Sequence, residues 1–235
     1  MEGSSVARFT RLEVLTTMLR SGIVPLFHHA DEVTAIRILD ALVAGGARVV
    51  EFTNRGDGAH QVFAALEEHA RRVAPTCMLG AGSVIDAATA GLYLNLGASF
   101  VVAPSFESEV ARACNRRKVA YLPGCATASE VGQAEAHGSE IVKLFPGDAV
   151  GGPGLIRALR GPSPWSRFMP TGGVEPTEES LSAWFAAGAA CVGLGSRLVP
   201  TEDVREGHFE AITERMRAVL DVAERVRPPI EEVWV

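Results

Sequence analysis

The sequence predicts an α/β protein built as a single TIM (β/α)8 barrel with an additional N-terminal helix. Eight short apolar runs alternate with longer amphipathic stretches from end to end, the pattern of a parallel sheet with crossover helices. Small-residue endings, Ala44-Gly45-Gly46-Ala47, Leu96-Gly97-Ala98 and Ala187-Gly188-Ala189, stop helices and lead straight into the next run. The 235 residues hold eight such units, close to the roughly 250 typical of a closed barrel, whereas an open sheet rarely needs eight.

In chain order, a helix over 11–20 comes first, ahead of the repeating units. The strands are expected at 23–27, 48–53, 76–80, 100–103, 119–122, 140–145, 167–171 and 190–194. Helices fill the intervals at 32–44, 59–72, 85–96, 107–117, 129–136, 155–159 and 178–187, and a long helix over 204–226 closes the series. Asp31, Asp86 and Thr177, the last following Pro176, are the side chains expected to cap helix N-termini. No linker or low-complexity segment interrupts the pattern, so 1–235 reads as one domain, with helix and tail 203–235 beyond the repeats.

Composition excludes several classes. A 47% hydrophobic and 21% charged chain is neither disordered nor an acidic tail, and no 18-residue apolar run is present to span a membrane. The start Met1-Glu2-Gly3-Ser4-Ser5 lacks the basic-then-apolar pattern of a signal peptide. A net charge of -6 with scattered arginines argues against nucleic acid. Cys77, Cys114, Cys125 and Cys191 form no CxxC pair, and Cys125 and Cys191 read as small core residues. The expectation is a soluble, reduced, cytoplasmic protein without membrane or nucleic-acid partners.

Only two of the 22 basic residues are lysines. Lys118 sits in the charged stretch Asn115-Arg116-Arg117-Lys118 and reads as solvated, but Lys143 lies in the apolar run Glu140-Ile141-Val142-Lys143-Leu144-Phe145. Barrel chemistry collects at the C-terminal ends of strands. Alternation along strand two sets Val49, Glu51 and Thr53 on one face, with Arg55 if the strand extends; strand six sets Ile141, Lys143 and Phe145 on one face. The simplest arrangement points Glu51, Arg55 and Lys143 into the barrel mouth. A lysine amine becomes a nucleophile toward a ketone when desolvation and a nearby cation disfavour its charged form. Arg55 would supply that cation and grip a carboxylate through its fork, and Glu51 would shuttle protons. A buried Lys–Glu pair that merely plugs the barrel fits the same pattern, and the residues alone leave the two readings level.

Pro170-Thr171-Gly172-Gly173 and Gly193-Leu194-Gly195-Ser196 end strands seven and eight. Gly-rich turns there, with a helix N-terminus behind them, form the common phosphate position of such barrels; tight turns alone, or a pocket for a carboxylate or hydroxyl, are the other readings. His28, His29 and His60 lie near the mouth with Asp31 and Asp57 close by, but rim histidines are favoured over a metal site, and neither metal nor cofactor is expected. Trp165, Trp184 and Trp234 make no stacking platform for bases, and Trp184-Phe185 reads as core or subunit contact. The tail Arg227–Val235 stops the long helix at its prolines, and its apolar end is expected to dock on a neighbouring subunit.

Glu51-x-x-x-Arg55, Gly80-Ala81-Gly82-Ser83-Val84, Pro123-Gly124, Lys143-Leu144-Phe145-Pro146 and Pro170-Thr171-Gly172-Gly173 occur in one order. In this the chain resembles the class I 2-keto-3-deoxy-6-phosphogluconate (KDPG) / 4-hydroxy-2-oxoglutarate (KHG) aldolases, from about Ser21 to Pro200. The resemblance implies that Lys143 forms the Schiff base with a 2-keto acid and that Glu51 is the general acid/base. It implies that Arg55 and Ser83 bind the pyruvate carboxylate and that Phe145 and Pro104 flank the pyruvyl group. Thr171, Gly172, Gly173, Gly195 and Ser196 would hold the distal hydroxyls and phosphate. It further implies a homotrimer that needs no metal.

Three segments depart from the family pattern: Asn54-Arg55-Gly56-Asp57-Gly58 replaces Leu-Arg-Thr, Ala103-Pro104-Ser105-Phe106 replaces Ser-Pro-Gly, and Pro146-Gly147-Asp148 replaces Pro-Ala-Glu. They lie beside the imine chemistry and bear on the aldehyde half of the substrate; Thr171 is closer to KDPG-type than to galactonate-type members. The leading expectation is a lyase that cleaves a 2-keto-3-deoxy sugar acid, KDPG and/or KHG, to pyruvate plus glyceraldehyde 3-phosphate or glyoxylate. An isomerase or epimerase without covalent imine, and a non-catalytic sugar-acid-binding barrel, are the alternatives.

Overall fold

The computed structural model describes residues 8–228. The chain opens with α1 (Arg11–Ser21), β1 (Ile23–Phe27), α2 (Glu32–Ala44), β2 (Val49–Thr53), α3 (Ala59–Val73) and β3 (Met78–Gly82). It continues through α4 (Ala87–Leu96), β4 (Phe100–Val102), α5 (Ser108–Arg117), β5 (Ala120–Leu122), β6 (Gly124–Cys125), α6 (Ala128–Ala136) and β7 (Val142–Leu144). The last part holds α7 (Gly152–Arg160), β8 (Phe168–Pro170), α8 (Glu178–Ala186), β9 (Val192–Leu194), α9 (Thr201–Glu206) and α10 (Phe209–Val226). Helix starts follow their caps: Asp31, Asp86 and Thr177 accept from the backbone N–H of Thr34, Thr89 and Ser180. Thr10 and Glu13 form a reciprocal capping box at α1.

The fold is α/β, with a curled parallel sheet of six strands in the order β5-β4-β3-β2-β1-β9 and a second sheet in the order β6-β7-β8. The expected fifth strand is thus divided. Pro123, which has no N–H to donate, separates β5 on the first sheet from β6 on the second. Between β8 and β9 the contact is reduced to isolated parallel bridges, Phe168 with Ala189 and Thr171 with Gly193.

Other expected bounds shift as well, among them the strand at 140–145, reduced to Val142–Leu144, and the helix at 155–159, which runs from Gly152 to Arg160. The third strand starts two residues late, because Cys77 N–H bonds the Ala74 carbonyl at 2.9 Å and keeps 76–77 in the turn after α3. That brings Gly82 into the strand, opposite Thr53. The expected long C-terminal helix is two helices, broken where Gly207 takes a φ of 77° beyond α9. The tail expected to dock on a neighbour lies, from residue 229 on, outside the described residues.

Two apolar clusters follow from strand alternation. One lies between strands and outer helices, with Phe52, Phe63 and Tyr93 packed edge to face or tilted. The other lies on the opposite strand face and joins both sheets: Val24, Val49, Met78, Phe100, Ala120, Ile141, Met169 and Cys191. Val14, Leu15, Met18 and Leu19 of α1 complete it and close the end where the strands begin. Trp184 and Phe185 are core, each 2% exposed. Burial pushes all four cysteine thiols up to about 12, which leaves them protonated and unreactive at neutral pH.

Met18 is fully buried in the plug. Met18→Ala is expected to lower unfolding stability in urea by about 2–5 kcal/mol, the range for truncating a buried Met. A change within about 0.5 kcal/mol would show that α1 is dispensable to the inner core.

Candidate active site

Two of the ionisable residues singled out from the sequence, Glu51 and Lys143, stand on the inner strand face, above the α1 plug. Glu51 is central in β2, in register with Leu26 of β1 and Gly80 of β3. Lys143 is central in β7, in register with Gly124 of β6 and Met169 of β8. The two residues come from different sheets and meet in the interior, where Glu51 is fully buried and Lys143 is 6% exposed. Lys118, the other lysine, is exposed at the left-handed cap of α5.

Burial raises the Glu51 carboxyl above the usual range, and the positive charges of Lys143 and Arg55 pull against that rise without cancelling it. Neither Glu51 oxygen has a hydrogen-bond partner among the described residues, nor has the buried Thr171 Oγ1. Buried polar atoms left unpaired cost about 1–3 kcal/mol each, so their grouping on one interior face marks a place built for a ligand. The Lys143 ammonium lies 4.8 Å from the centroid of the Phe145 ring.

Space for these groups comes from residues without side chains. A methyl group at Gly82 would overlap the Glu51 carboxylate, one at Gly193 would overlap Thr171 Oγ1, and one at Gly124 would overlap the Pro104 carbonyl. Ser83, half-buried beside Gly82, holds a φ of 57°, a left-handed conformation that costs a non-glycine residue of order 1–3 kcal/mol.

Arg55 follows β2 at the exposed rim, and its charge still reaches Glu51. Asn54, before it, is tied down on two sides: its N–H donates to the Gly82 carbonyl at 2.8 Å, and its Oδ1 accepts from the buried Tyr93 hydroxyl at 2.9 Å. Sequence reading missed this anchor, although Asn54 is one of the departures it noted; nothing in the spacing pairs it with a tyrosine 39 positions away.

At the ends of β8 and β9, Thr171 is buried, Gly172 and Gly173 are exposed, Gly195 is half-buried and Ser196 is exposed. The helices that follow begin several residues beyond these turns. Gly195 starts a turn whose carbonyl accepts from Leu198 and Val199, and α9 begins only at Thr201 after Pro200. After β8, α8 begins at Glu178, with Glu178 and Glu179 in its first turn. Sequence reading also missed the cross-loop pair Arg197–Glu175 at 3.1 Å and the Asp148 side chain packed over Gly173.

The histidines go elsewhere. His28 Nδ1 lies 3.1 Å from the Thr53 carbonyl with its ring against Phe52, His29 Nδ1 lies 3.1 Å from the Asp31 carbonyl, and His60 is in the first turn of α3. Among the described residues no three His, Cys, Asp or Glu side chains converge as metal ligands, and no helix is long and apolar enough to cross a membrane.

An interior lysine beside a buried, unpartnered carboxyl narrows the comparison with known proteins. The model of the KDPG and KHG aldolase family matches residues 14–215. The chain belongs to this family. It is 36% identical to the 2-dehydro-3-deoxy-phosphogluconate aldolase of Pseudomonas aeruginosa, over 85% of this chain and 88% of that protein. It is 31% identical to the KHG/KDPG aldolase of Escherichia coli, over 80% of this chain and 86% of that one. A crystal structure of KDPG aldolase from Legionella pneumophila, with pyruvate captured as a covalent carbinolamine, superposes with a TM-score of 0.80 at 29% identity, covering 87% of this chain and 97% of that one.

In this aldolase-family chain the raised Glu51 carboxyl makes a thermodynamic prediction. The folded state holds the Glu51 proton more tightly than the unfolded chain does, so its contribution to stability is complete below the unfolded value of about 4.3 and is lost as pH rises through the folded one. Glu51→Gln is expected to raise Tm by a few degrees at pH 8, with the gain vanishing below about pH 4. Calorimetric unfolding curves that stay parallel across that range would contradict the assignment.

Proposed function

We propose that this protein is a class I aldolase that cleaves a 2-keto-3-deoxy sugar acid to pyruvate and an aldehyde. The observation that carries the reading is that its one buried lysine stands on the interior strand face beside a carboxyl with no hydrogen bond among the described residues. Lys143 Nζ attacks the C2 ketone to give a carbinolamine, which loses water to an imine. The imine accepts the electron pair of the breaking C3–C4 bond, Glu51 takes the C4 hydroxyl proton, and the aldehyde leaves. Glu51 returns the proton to C3 of the enamine, and water hydrolyses the pyruvyl imine to free Lys143. A carboxyl whose affinity for protons is raised by burial suits a group that takes a proton and gives it back.

Arg55 and Ser83 bind the substrate carboxylate, with Phe145 and Pro104 packed on the pyruvyl carbons. Thr171, Gly172, Gly173, Gly195 and Ser196 hold the distal hydroxyls and phosphate. The substrates in this reading are KDPG and/or KHG, giving glyceraldehyde 3-phosphate or glyoxylate. The same reading takes the two sheets as one closed (β/α)8 barrel in a single domain, supported by the bridges of β8 to β9 and by the continuous run through Pro123. It also takes the working form as a cytoplasmic homotrimer.

Incubation with pyruvate and borohydride, followed by peptide mass mapping, is expected to place a reduced pyruvyl group on Lys143. Lys143→Arg is expected to show no adduct and to lose activity by on the order of 10³-fold or more, since a guanidinium stays protonated. Turnover without an adduct would favour isomerase-type chemistry, and ligand-induced stabilisation without turnover would favour a binding protein.

A further inference from the structure

At the end of the strands away from Lys143 lies a cavity of about 510 Å³, lined in part by Arg160, Trp165, Ser166, Phe185, Ala190 and Arg227. Ser166 precedes β8 and Ala190 precedes β9, while Arg160 and Arg227 sit at the C-terminal ends of α7 and α10. The cavity therefore opens beside the α1 plug rather than at the mouth.

Its polar groups are unevenly satisfied. Arg227 is committed to structure: it donates to the carbonyls of Leu19, Arg20 and Ala190 and so ties α10 to the end of α1. Arg160 donates from Nη2 to the Pro164 carbonyl at 3.2 Å, but its buried Nε has no partner among the described residues. Ser166 is 3% exposed and its Oγ has no partner among the described residues either. Neither Arg160 nor Arg227 meets a carboxylate among the described residues. Gly188 leaves room for the Arg160 guanidinium, which a methyl group there would overlap. Beside these groups Trp165 presents an indole that is 62% exposed.

Two guanidinium groups that meet no carboxylate among the described residues, with an N–H and a hydroxyl that find no partner there at one wall, match a tetrahedral dianion better than a single carboxylate. A phosphate monoester brings three acceptor oxygens and nearly two charges, and arginine is the side chain best suited to it. The exposed indole offers a flat apolar rest for whatever carries the phosphate. We propose that this cavity is a second ligand site, which takes a small phosphomonoester with its phosphate at Arg160 and Ser166 and its aromatic body on Trp165. The site is independent of the imine chemistry, and its failure would leave the reading of Lys143 untouched.

Titration calorimetry on the full-length protein with adenosine 5′-monophosphate and with inorganic phosphate tests the proposal. The nucleotide is expected to bind with a Kd below about 1 mM. Arg160→Gln is expected to weaken both probes about tenfold or more, as for loss of a charge-assisted bond, while KM for the 2-keto acid stays unchanged. Trp165→Ala, at an exposed position that does not threaten folding, is expected to weaken the nucleotide and spare inorganic phosphate. Absence of nucleotide binding would overturn the proposal. So would nucleotide binding unchanged by Arg160→Gln, which would place the ligand at the mouth, or unchanged by Trp165→Ala.

Discussion

Keeping the Glu51 carboxyl inside an apolar strand interior, without a hydrogen bond from any described residue, is the constraint from which the rest of the site follows. A carboxylate alone there would be prohibitively costly, and the charges of Lys143 and Arg55 offset only part of the cost. The remainder is expressed as a carboxyl that holds its proton more tightly than a solvated one. Stability is thereby given up where reactivity is wanted, a trade common at functional sites.

That constraint governs the neighbours. The Glu51 side chain needs the volume above Gly82, Thr171 needs the volume above Gly193, and Pro104 needs its carbonyl against Gly124. Three of the interior strands therefore give up side chains at the level where the chemistry stands, while the level below is filled by Met78, Phe100, Ile141 and Met169 and sealed by α1. A packed floor and an open upper layer come from the same alternating strands; only residue size distinguishes them. The rim is set less rigidly. Arg55 is held through the backbone of Asn54, whose anchor is Tyr93 from the outer layer, so the outer packing also positions the mouth.

The chain belongs to the KDPG and KHG aldolase family, and its departures from the family pattern lie in the segments that follow β2, β4 and β7. After β7 the Asp148 side chain lies over Gly173, and Arg197 after β9 is paired with Glu175 after β8, so charged side chains link these loops across the strand ends. Exposed pairs of this kind add little to stability.

Much of this was legible in the sequence. Alternating short apolar runs and capped amphipathic stretches disclose the βα repeat, because strand and helix periods differ and side chains such as Asp31 and Thr177 announce their own roles. Strand alternation disclosed that Glu51 and Lys143 share interior faces, and the near absence of lysine elsewhere isolated Lys143. What the sequence withheld were relations between distant segments. Pro123 divides one run between two sheets, Cys77 stays in a turn and delays β3, and Gly207 breaks the last helix; each turns on a single local bond or φ angle that periodicity does not register. The Tyr93–Asn54 bond and the Arg197–Glu175 pair join residues from separate elements, and the cavity wall at Arg160 and Ser166 brings together the ends of α7 and β8. Local pattern determines which face of a strand or helix is apolar, but only the tertiary packing decides which polar atoms find partners and which do not.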